Sequence, residues 1–254
     1  NAPFNKDMEA WAKLSDRTYI WNYVTNFANY FVPYPNWHVL AANIAYFKAH
    51  GVAGVFEEGT YGTPGGDLVE LKDYVISRAL WNVSYATDGG EALIDEFVTG
   101  YYGGAAPHVR EYMKAMEASV QVTAFYMHES FHVDAAFLTP SAVLRAAAAL
   151  NSATAAATGR FAPRAAAASM PPMYVALWRW DELRAYAANV SATWPYASTK
   201  RAQFDAFKAL YQANNVTQLN EPGKNITWLE AQLFPPRGAP PLVEAEAGRP
   251  RLHW

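Results

Sequence analysis

The segment Arg17-Thr-Tyr-Ile-Trp-Asn-Tyr23 is rich in β-branched and aromatic residues and follows the polar pair Ser15-Asp16. This composition predicts a buried β-strand. Residues 38–50 predict a helix that ends at Gly51, and Val52-Ala-Gly-Val-Phe-Glu57 predicts a second strand. A strand, a helix and a strand in this order form a βαβ unit, so we expect the two strands to be parallel.

The chain from residue 67 onward has a helical pattern with few competing strand signals. It predicts helices at residues 67–81, 90–100, 105–127, 140–158, 163–189 and 197–213, and a short helix is also predicted at 5–14. The Ala-rich stretch from Ala142 to Ala168 favours closely packed helices over a linker, because Ala is the best helix former. The Pro- and Gly-rich residues 235–254 predict an extended tail.

The predicted sheet is too small to be stable by itself. Parallel strands need neighbouring strands on their edges and helices over their faces. Either the chain contributes the end of a larger sheet, which earlier strands or another protein chain would complete, or the strand predictions are wrong.

Composition limits the classes of function. The chain has 254 residues, with 20 basic and 23 acidic side chains, a net charge of -3 and no block of Lys or Arg. This balance argues against electrostatic binding to nucleic acid. The absence of Cys excludes disulfides, thiol nucleophiles and Cys-ligated metals, and we predict neither a cofactor nor a metal. No apolar run approaches the roughly 18–20 residues of a membrane span.

Four asparagines begin an Asn-x-Ser/Thr triplet, namely Asn82, Asn189, Asn215 and Asn225. Such triplets are acceptors for N-linked glycans, which lie on the surfaces of secreted proteins. The pattern therefore predicts a secreted, extracellular glycoprotein, and a chance cluster is the alternative. Because the chain begins at Asn1 without a signal peptide, a secreted protein would be present here as a processed or partial product.

Two adjacent carboxylates, Glu57 and Glu58, stand at the carboxyl end of the second predicted strand. In parallel α/β sheets, ligands bind at this end of the strands. Desolvation beside an apolar strand raises the pKa of a carboxyl group, which suits a general acid. Adjacent side chains on a strand point to opposite faces, so at most one of the two faces a common site. The alternative is a structural carboxylate that caps a loop or pairs with an Arg.

Aromatic residues are concentrated at the ends of the two predicted strands. Trp21 and Tyr23 share one face of the first strand, and Asn26 and Tyr61 lie in the loops that follow the strands. Aromatic rings with a few amide groups suit sugars, which present a C–H face and a rim of hydroxyls. Packing inside the core is the alternative for each single residue.

His128-Glu-Ser-Phe-His132 matches the H-E-x-x-H pattern of zinc peptidases. On a helix the two imidazoles would lie on one face, with the Glu as general base. A zinc site needs a third ligand, and the next Glu along the chain, Glu182, is fifty residues away. Asp134 also interrupts the apolar face that such a helix would need. A zinc metallopeptidase is therefore the weakest of the functional hypotheses, and two exposed histidines at a helix end are the simpler interpretation.

Several segments of the sequence resemble the domain-of-unknown-function family 4838, which is grouped with TIM-barrel glycoside hydrolases and is similar to α-glucuronidases and hexosaminidases. The segments are Tyr19-Ile-Trp-Asn-Tyr-Val-Thr-Asn-Phe27, Pro33-Tyr-Pro-Asn36, Gly51-Val-Ala-Gly-Val-Phe-Glu-Glu-Gly59, Leu80-Trp-Asn82 and Leu93-Ile-Asp-Glu-Phe-Val-Thr-Gly-Tyr-Tyr-Gly-Gly-Ala-Ala106. The resemblance implies an α/β fold, the C-terminal part of a (β/α)8 barrel followed by a helical region. It also implies that Glu57 is the catalytic carboxylate, and the family more often has Gln in place of Glu58.

Together these observations divide the chain into the last βα units of a TIM-like barrel (1–66), a helical region (67–234) and a tail (235–254). We expect a carbohydrate-active, glycoside-hydrolase-like module of a larger secreted glycoprotein, which binds an oligosaccharide and cleaves it by acid/base hydrolysis. Glu57 would be catalytic, and Trp21, Tyr23, Asn26 and Tyr61 would line the sugar site. An upstream barrel half or another chain would supply the second carboxylate. The alternative is a non-catalytic structural or carbohydrate-binding module of an extracellular assembly.

Overall fold

The structure is a computed structural model that describes residues 2–236, a mixed α/β chain in which helices predominate. The strands are β1 (Thr18–Tyr23) and β2 (Val52–Glu58). The helices are α1 (Ala2–Leu14), α2 (Trp37–Ala49), α3 (Val69–Trp81), α4 (Glu91–Tyr102), α5 (Ala106–Thr123), α6 (Pro140–Ala156), α7 (Ala162–Ala168), α8 (Met170–Trp178), α9 (Trp180–Asn189), α10 (Lys200–Ala213) and α11 (Ile226–Leu233). The predicted tail covers residues 235–254, and its residues 237–254 lie outside the part of the chain that the structure describes.

Strands β1 and β2 are parallel, with α2 between them in the chain, which confirms the predicted βαβ unit. Ile20 is opposite Val55, and Asn22 is opposite Glu57. Within residues 2–236 no third strand joins the sheet, so the outer edge of each strand is unpaired.

The two faces of the sheet differ in exposure. Thr18, Ile20 and Asn22 alternate along β1 with exposed residues and are half-buried. Helix α2 packs against β2, and its apolar residues, such as Leu40 and Ile44, belong to the main core. The sheet is thus covered on one face and open on the other. The prediction that the first strand is buried is wrong for the open face, where Tyr19, Trp21 and Tyr23 are exposed.

The core lies mainly among the helices. The Ala-rich stretch forms α6 and α7, which pack against each other, and Ala146, Ala153 and Ala165 are fully buried. This confirms packed helices in place of a linker. No helix among the described residues combines the length and the hydrophobicity needed to cross a lipid bilayer.

The predicted helix at 163–189 is wrong in its continuity, because the structure divides it into α7, α8 and α9. Pro171 and Pro172 have no N–H to donate to the preceding turn, so α7 ends before them. The predicted helix at 105–127 ends earlier, since Ala124 adopts a left-handed conformation with φ of 50°. Helix α11 was not predicted.

Candidate functional site

The loops that follow the strands, residues 24–36 and 59–68, lie side by side at the carboxyl end of the sheet. We call them the strand-end loops. The amide of Val24 donates to the carbonyl of Glu58 at 3.0 Å, and the hydroxyls of Thr25 and Thr60 are 3.3 Å apart. These contacts extend the β1–β2 pairing beyond the strands, so the two loops form one surface.

The open face of the sheet carries four exposed aromatic residues, Tyr19, Trp21, Tyr23 and Phe56, which we call the aromatic face. The exposed fractions of Trp21, Phe56 and Tyr23 are 64%, 56% and 44%. Trp21 and Phe56 pack edge to face with ring centroids 5.0 Å apart. Gly54 leaves room for the ring of Tyr19 on the same face, because a Cβ at Gly54 would lie 2.9 Å from that ring.

The two adjacent carboxylates lie on opposite faces of the sheet. The indole Nε1 of Trp21 donates to Glu58 Oε2 at 2.6 Å, which places Glu58 on the aromatic face. Asn22 Nδ2 donates to Glu57 Oε2 at 2.8 Å on the covered face. Burial raises the pKa of the Glu57 carboxyl, and the hydrogen bond from Asn22 opposes this rise. The structure therefore groups Trp21 and Tyr23 with Glu58 rather than with Glu57.

An open cavity of about 520 Å³ lies beside the end of β2. Both Glu57 and Glu58 line it, together with Tyr61, Thr25 and Thr60. Glu70 and Asp73 from α3 also line the cavity, so four carboxylates surround it. Among the described lining residues Lys72 is the one cation, and it is almost fully buried. Acidic side chains therefore outnumber basic ones among the residues that line the cavity.

Buried charges hold the strand-end loops together. Asp67 Oδ2 accepts the backbone N–H of Tyr34 at 2.6 Å, and Asp67 Oδ1 accepts the hydroxyl of Tyr112 at 2.5 Å. Lys72 Nζ donates to the carbonyl of Tyr34 at 3.0 Å. Burial lowers the pKa of Lys72 to about 8, and the nearby charge of Asp67 opposes this decrease. The acidic Asp67 thus binds the backbone N–H of Tyr34, and the basic Lys72 binds the carbonyl of the same residue.

Asn26 is fully buried, so its side chain holds the loop in place. Its Nδ2 donates to the carbonyl of Phe131 at 2.8 Å, and its Oδ1 accepts the N–H of Phe131 at 3.3 Å. Both ends of the amide are therefore bonded to protein. The structure does not bring Asn26 to the cavity with Tyr61.

Tyr61 lies at the cavity and is 63% exposed. Its hydroxyl donates to Glu221 Oε1 at 3.0 Å. Glu221 belongs to the loop between α10 and α11, 160 positions further along the chain, and no local sequence pattern indicates this contact. A prediction would have needed the long-range packing of the helical region.

The H-E-x-x-H segment is not helical, because no helix covers residues 124–139. His128 and His132 are exposed, and His128 Nδ1 accepts the N–H of Ser130 at 3.3 Å. The described residues contain no group of three His, Asp or Glu side chains that could hold a metal ion. The helical arrangement required by the peptidase hypothesis is thus wrong.

All four asparagines of the Asn-x-Ser/Thr triplets are exposed. Asn82 and Asn189 lie at the C-terminal ends of α3 and α9. Asn215 and Asn225 lie at the two ends of the loop between α10 and α11. Their side chains are accessible for modification.

At the level of class, the chain is a mixed α/β protein with an aromatic, carboxylate-bearing surface at the ends of parallel strands. Residues 1–114 match the family described as Domain of unknown function (DUF4838), which confirms the resemblance over this part of the chain. The match includes both strands and both strand-end loops, whereas Glu221 lies beyond it. No curated protein and no solved structure matches the chain.

Proposed function

We propose that the aromatic face and the adjoining cavity bind an oligosaccharide. The observation that carries this proposal is the exposure of Trp21, Tyr23 and Phe56 on one face, beside the carboxylate of Glu58. Large aromatic side chains normally bury their rings, so their exposure beside polar acceptors marks a binding surface. Sugar rings stack on such faces, and their hydroxyls donate to carboxylates.

The activity that we propose for this site is acid/base hydrolysis of a glycosidic bond. Such a reaction uses two carboxyl groups that flank the scissile bond. Glu57 has the raised pKa that suits a proton donor, and Glu58 lies on the face where the sugar would stack. One of them would serve at the end of β2, and the second carboxylate would come from the strands that complete the sheet.

The alternative is a non-catalytic carbohydrate-binding or structural module of an extracellular assembly. The position of Glu57 favours it, because Glu57 is bonded to Asn22 on the face opposite Trp21 and Tyr23. Isosteric variants separate the alternatives. If the protein hydrolyses oligosaccharides, E57Q or E58Q abolishes turnover and retains binding. If wild-type protein, supplied with the segment or chain that completes the sheet, binds oligosaccharides without releasing reducing ends, the binding module is correct.

We also propose that the sheet is the C-terminal part of a (β/α)8 barrel. The outer edges of β1 and β2, which no other strand within residues 2–236 pairs, support the addition of further parallel strands, from an upstream barrel half or another protein chain. In a barrel, Tyr23 and Glu58 would face its mouth and Tyr19 would pack deeper. Hydrogen exchange of β1 tests this, since its edge amides should gain protection when the completing segment or chain is supplied. Unchanged exchange would contradict the barrel.

We propose further that the protein is a secreted glycoprotein, with glycans on Asn82, Asn189, Asn215 and Asn225. Their exposure supports this assignment. Expression through a eukaryotic secretory pathway should give a protein whose mass falls after enzymatic removal of N-glycans. Asn-to-Gln variants at the four positions should each remove one glycan, and N151Q, outside any triplet, should remove none. Four unmodified asparagines would contradict the proposal.

The binding proposal is tested by calorimetric titration with chitohexaose, xylohexaose and cellohexaose. We expect W21A to weaken the binding of the preferred oligosaccharide by about 10-fold or more, because it loses a stacking ring. W81A is a matched control, since Trp81 is 88% exposed but ends α3, about 18 Å along the helix from its start beside the cavity. Equal losses in W21A and W81A, or no binding by wild-type protein, would refute the proposal.

A further inference from the structure

The loop between α10 and α11, residues 214–225, is built into both strand-end loops. The N–H of Tyr30 donates to the carbonyl of Leu219 at 2.9 Å, and the N–H of Glu221 donates to the carbonyl of Phe27 at 2.9 Å. On the other side, Thr217 Oγ1 donates to the carbonyl of Gly62 at 3.1 Å. The helical region therefore contributes one edge of the surface at the strand ends.

The conformation of this loop is defined by its own hydrogen bonds. The N–H of Leu219 donates to the carbonyl of Lys224 at 2.6 Å, and the N–H of Lys224 donates to Asn220 Oδ1 at 2.9 Å. Gly223 adopts a φ of 82°, which favours glycine, and its N–H donates to the carbonyl of Asn220 at 3.0 Å. Glu221 lies within this tight turn, so its backbone position is fixed.

Glu221 is the partner of the Tyr61 hydroxyl, as described above. The hydrogen bond to Glu221 raises the pKa of the Tyr61 phenol, and the charge of Glu58 adds to the rise. The ring of Tyr61 also contacts Phe27, with centroids 6.4 Å apart. Without Glu221, an exposed tyrosine with a single ring contact would sample several rotamers.

From these contacts we propose that Glu221 is a positioning residue of the saccharide site. Its carboxylate holds Tyr61 at the end of the aromatic face, so that the ring meets the ligand in one orientation. This inference rests on the proposed saccharide binding and extends it, because it assigns a role to a loop of the helical region. Preorganisation of the ring reduces the conformational entropy that is lost on binding.

A double-mutant cycle tests the proposal, with the hexasaccharide that wild-type protein binds most tightly among chitohexaose, xylohexaose and cellohexaose as the probe. We expect E221A and Y61F each to weaken binding by about 3- to 5-fold, as for the loss of one exposed charge-assisted hydrogen bond. The double variant should bind no more weakly than either single variant. E221Q should restore binding to within about 2-fold, because the glutamine oxygen still accepts the hydroxyl.

The outcomes separate this inference from the proposed function. Wild-type affinity in E221A, or losses in the two single variants that add in the double variant, would overturn the role of Glu221 and leave saccharide binding intact. No binding by wild-type protein would refute both. If E221A unfolds, Y61F and E221Q decide the question, since wild-type affinity in Y61F overturns the inference. In absorbance titrations E221Q should also lower the pKa of Tyr61, and an unchanged value counts against the contact.

Discussion

Replacement of the buried Lys72 by Met is predicted to destabilise the protein strongly. Lys72 is 2% exposed and donates to the carbonyl of Tyr34 at 3.0 Å. K72M leaves this buried carbonyl without its donor, which costs about 1–3 kcal/mol. It also removes the positive charge that stabilises the buried carboxylate of Asp67, so we expect a total loss of about 2–4 kcal/mol in the free energy of unfolding.

Urea unfolding followed by circular dichroism measures this loss. K208M is the matched control, because Lys208 is half-exposed and pairs with Glu230 at 3.0 Å. For such a surface pair we expect a loss below about 1 kcal/mol. The double variant D67N/K72M should be less destabilised than the sum of D67N and K72M, since neither charge is left alone. A loss in K72M no larger than that in K208M would refute the structural role of the buried charges.

Three further predictions concern the site. Because burial raises the folded-state pKa of Glu57, its contribution to stability is greatest below the unfolded-state pKa and is lost as the pH rises through the folded-state pKa. E57Q should therefore be more stable than wild-type protein at pH 7 but not at pH 4. Urea unfolding measures the free energy of unfolding of both proteins at each pH, and an equal difference between them at the two pH values would contradict this prediction. The four carboxylates around the cavity should make hexagalacturonate bind at least about 10-fold more weakly than a neutral hexasaccharide, with a difference that shrinks in high salt, and equal affinities would contradict the charge argument. Gly66 adopts a φ of 141° and a Cβ there would lie 3.2 Å from the backbone oxygen of Tyr30, so G66A should increase proteolysis within the strand-end loops, whereas G100A, where nothing lies within 4 Å, should not.

Local sequence patterns predicted most of the secondary structure. Both strands and the βαβ order were predicted from composition and from the polar residues that bound each segment. Runs of β-branched and aromatic residues between polar residues are typical of β-strands. The predicted helix boundaries were wrong where the backbone departs from helical geometry. This happens at Pro171 and Pro172, which lack an N–H, and at Ala124, which is left-handed. Helix α11 was missed because its eight residues are too few to establish a periodic pattern.

The candidate site was predictable only in part. Strand alternation predicted that Glu57 and Glu58 point to opposite faces, but it could not tell which face the helices leave open. Asn26 was predicted to line the sugar site, yet it is buried against Phe131, over a hundred positions away. Glu221 also reaches the site through tertiary packing, for which a single sequence carries no local signal.

The most direct test of saccharide binding at the aromatic face is an NMR titration of the tryptophan indole N–H signals. The chain has nine Trp, and W21A and W81A assign the two signals that matter. Trp21 Nε1 donates to Glu58, so a saccharide that stacks on this face must perturb that signal. We predict a saturable shift of the Trp21 signal on addition of the preferred hexasaccharide and an unchanged Trp81 signal. An unmoved Trp21 signal at a saccharide concentration where calorimetry shows binding would contradict the proposal.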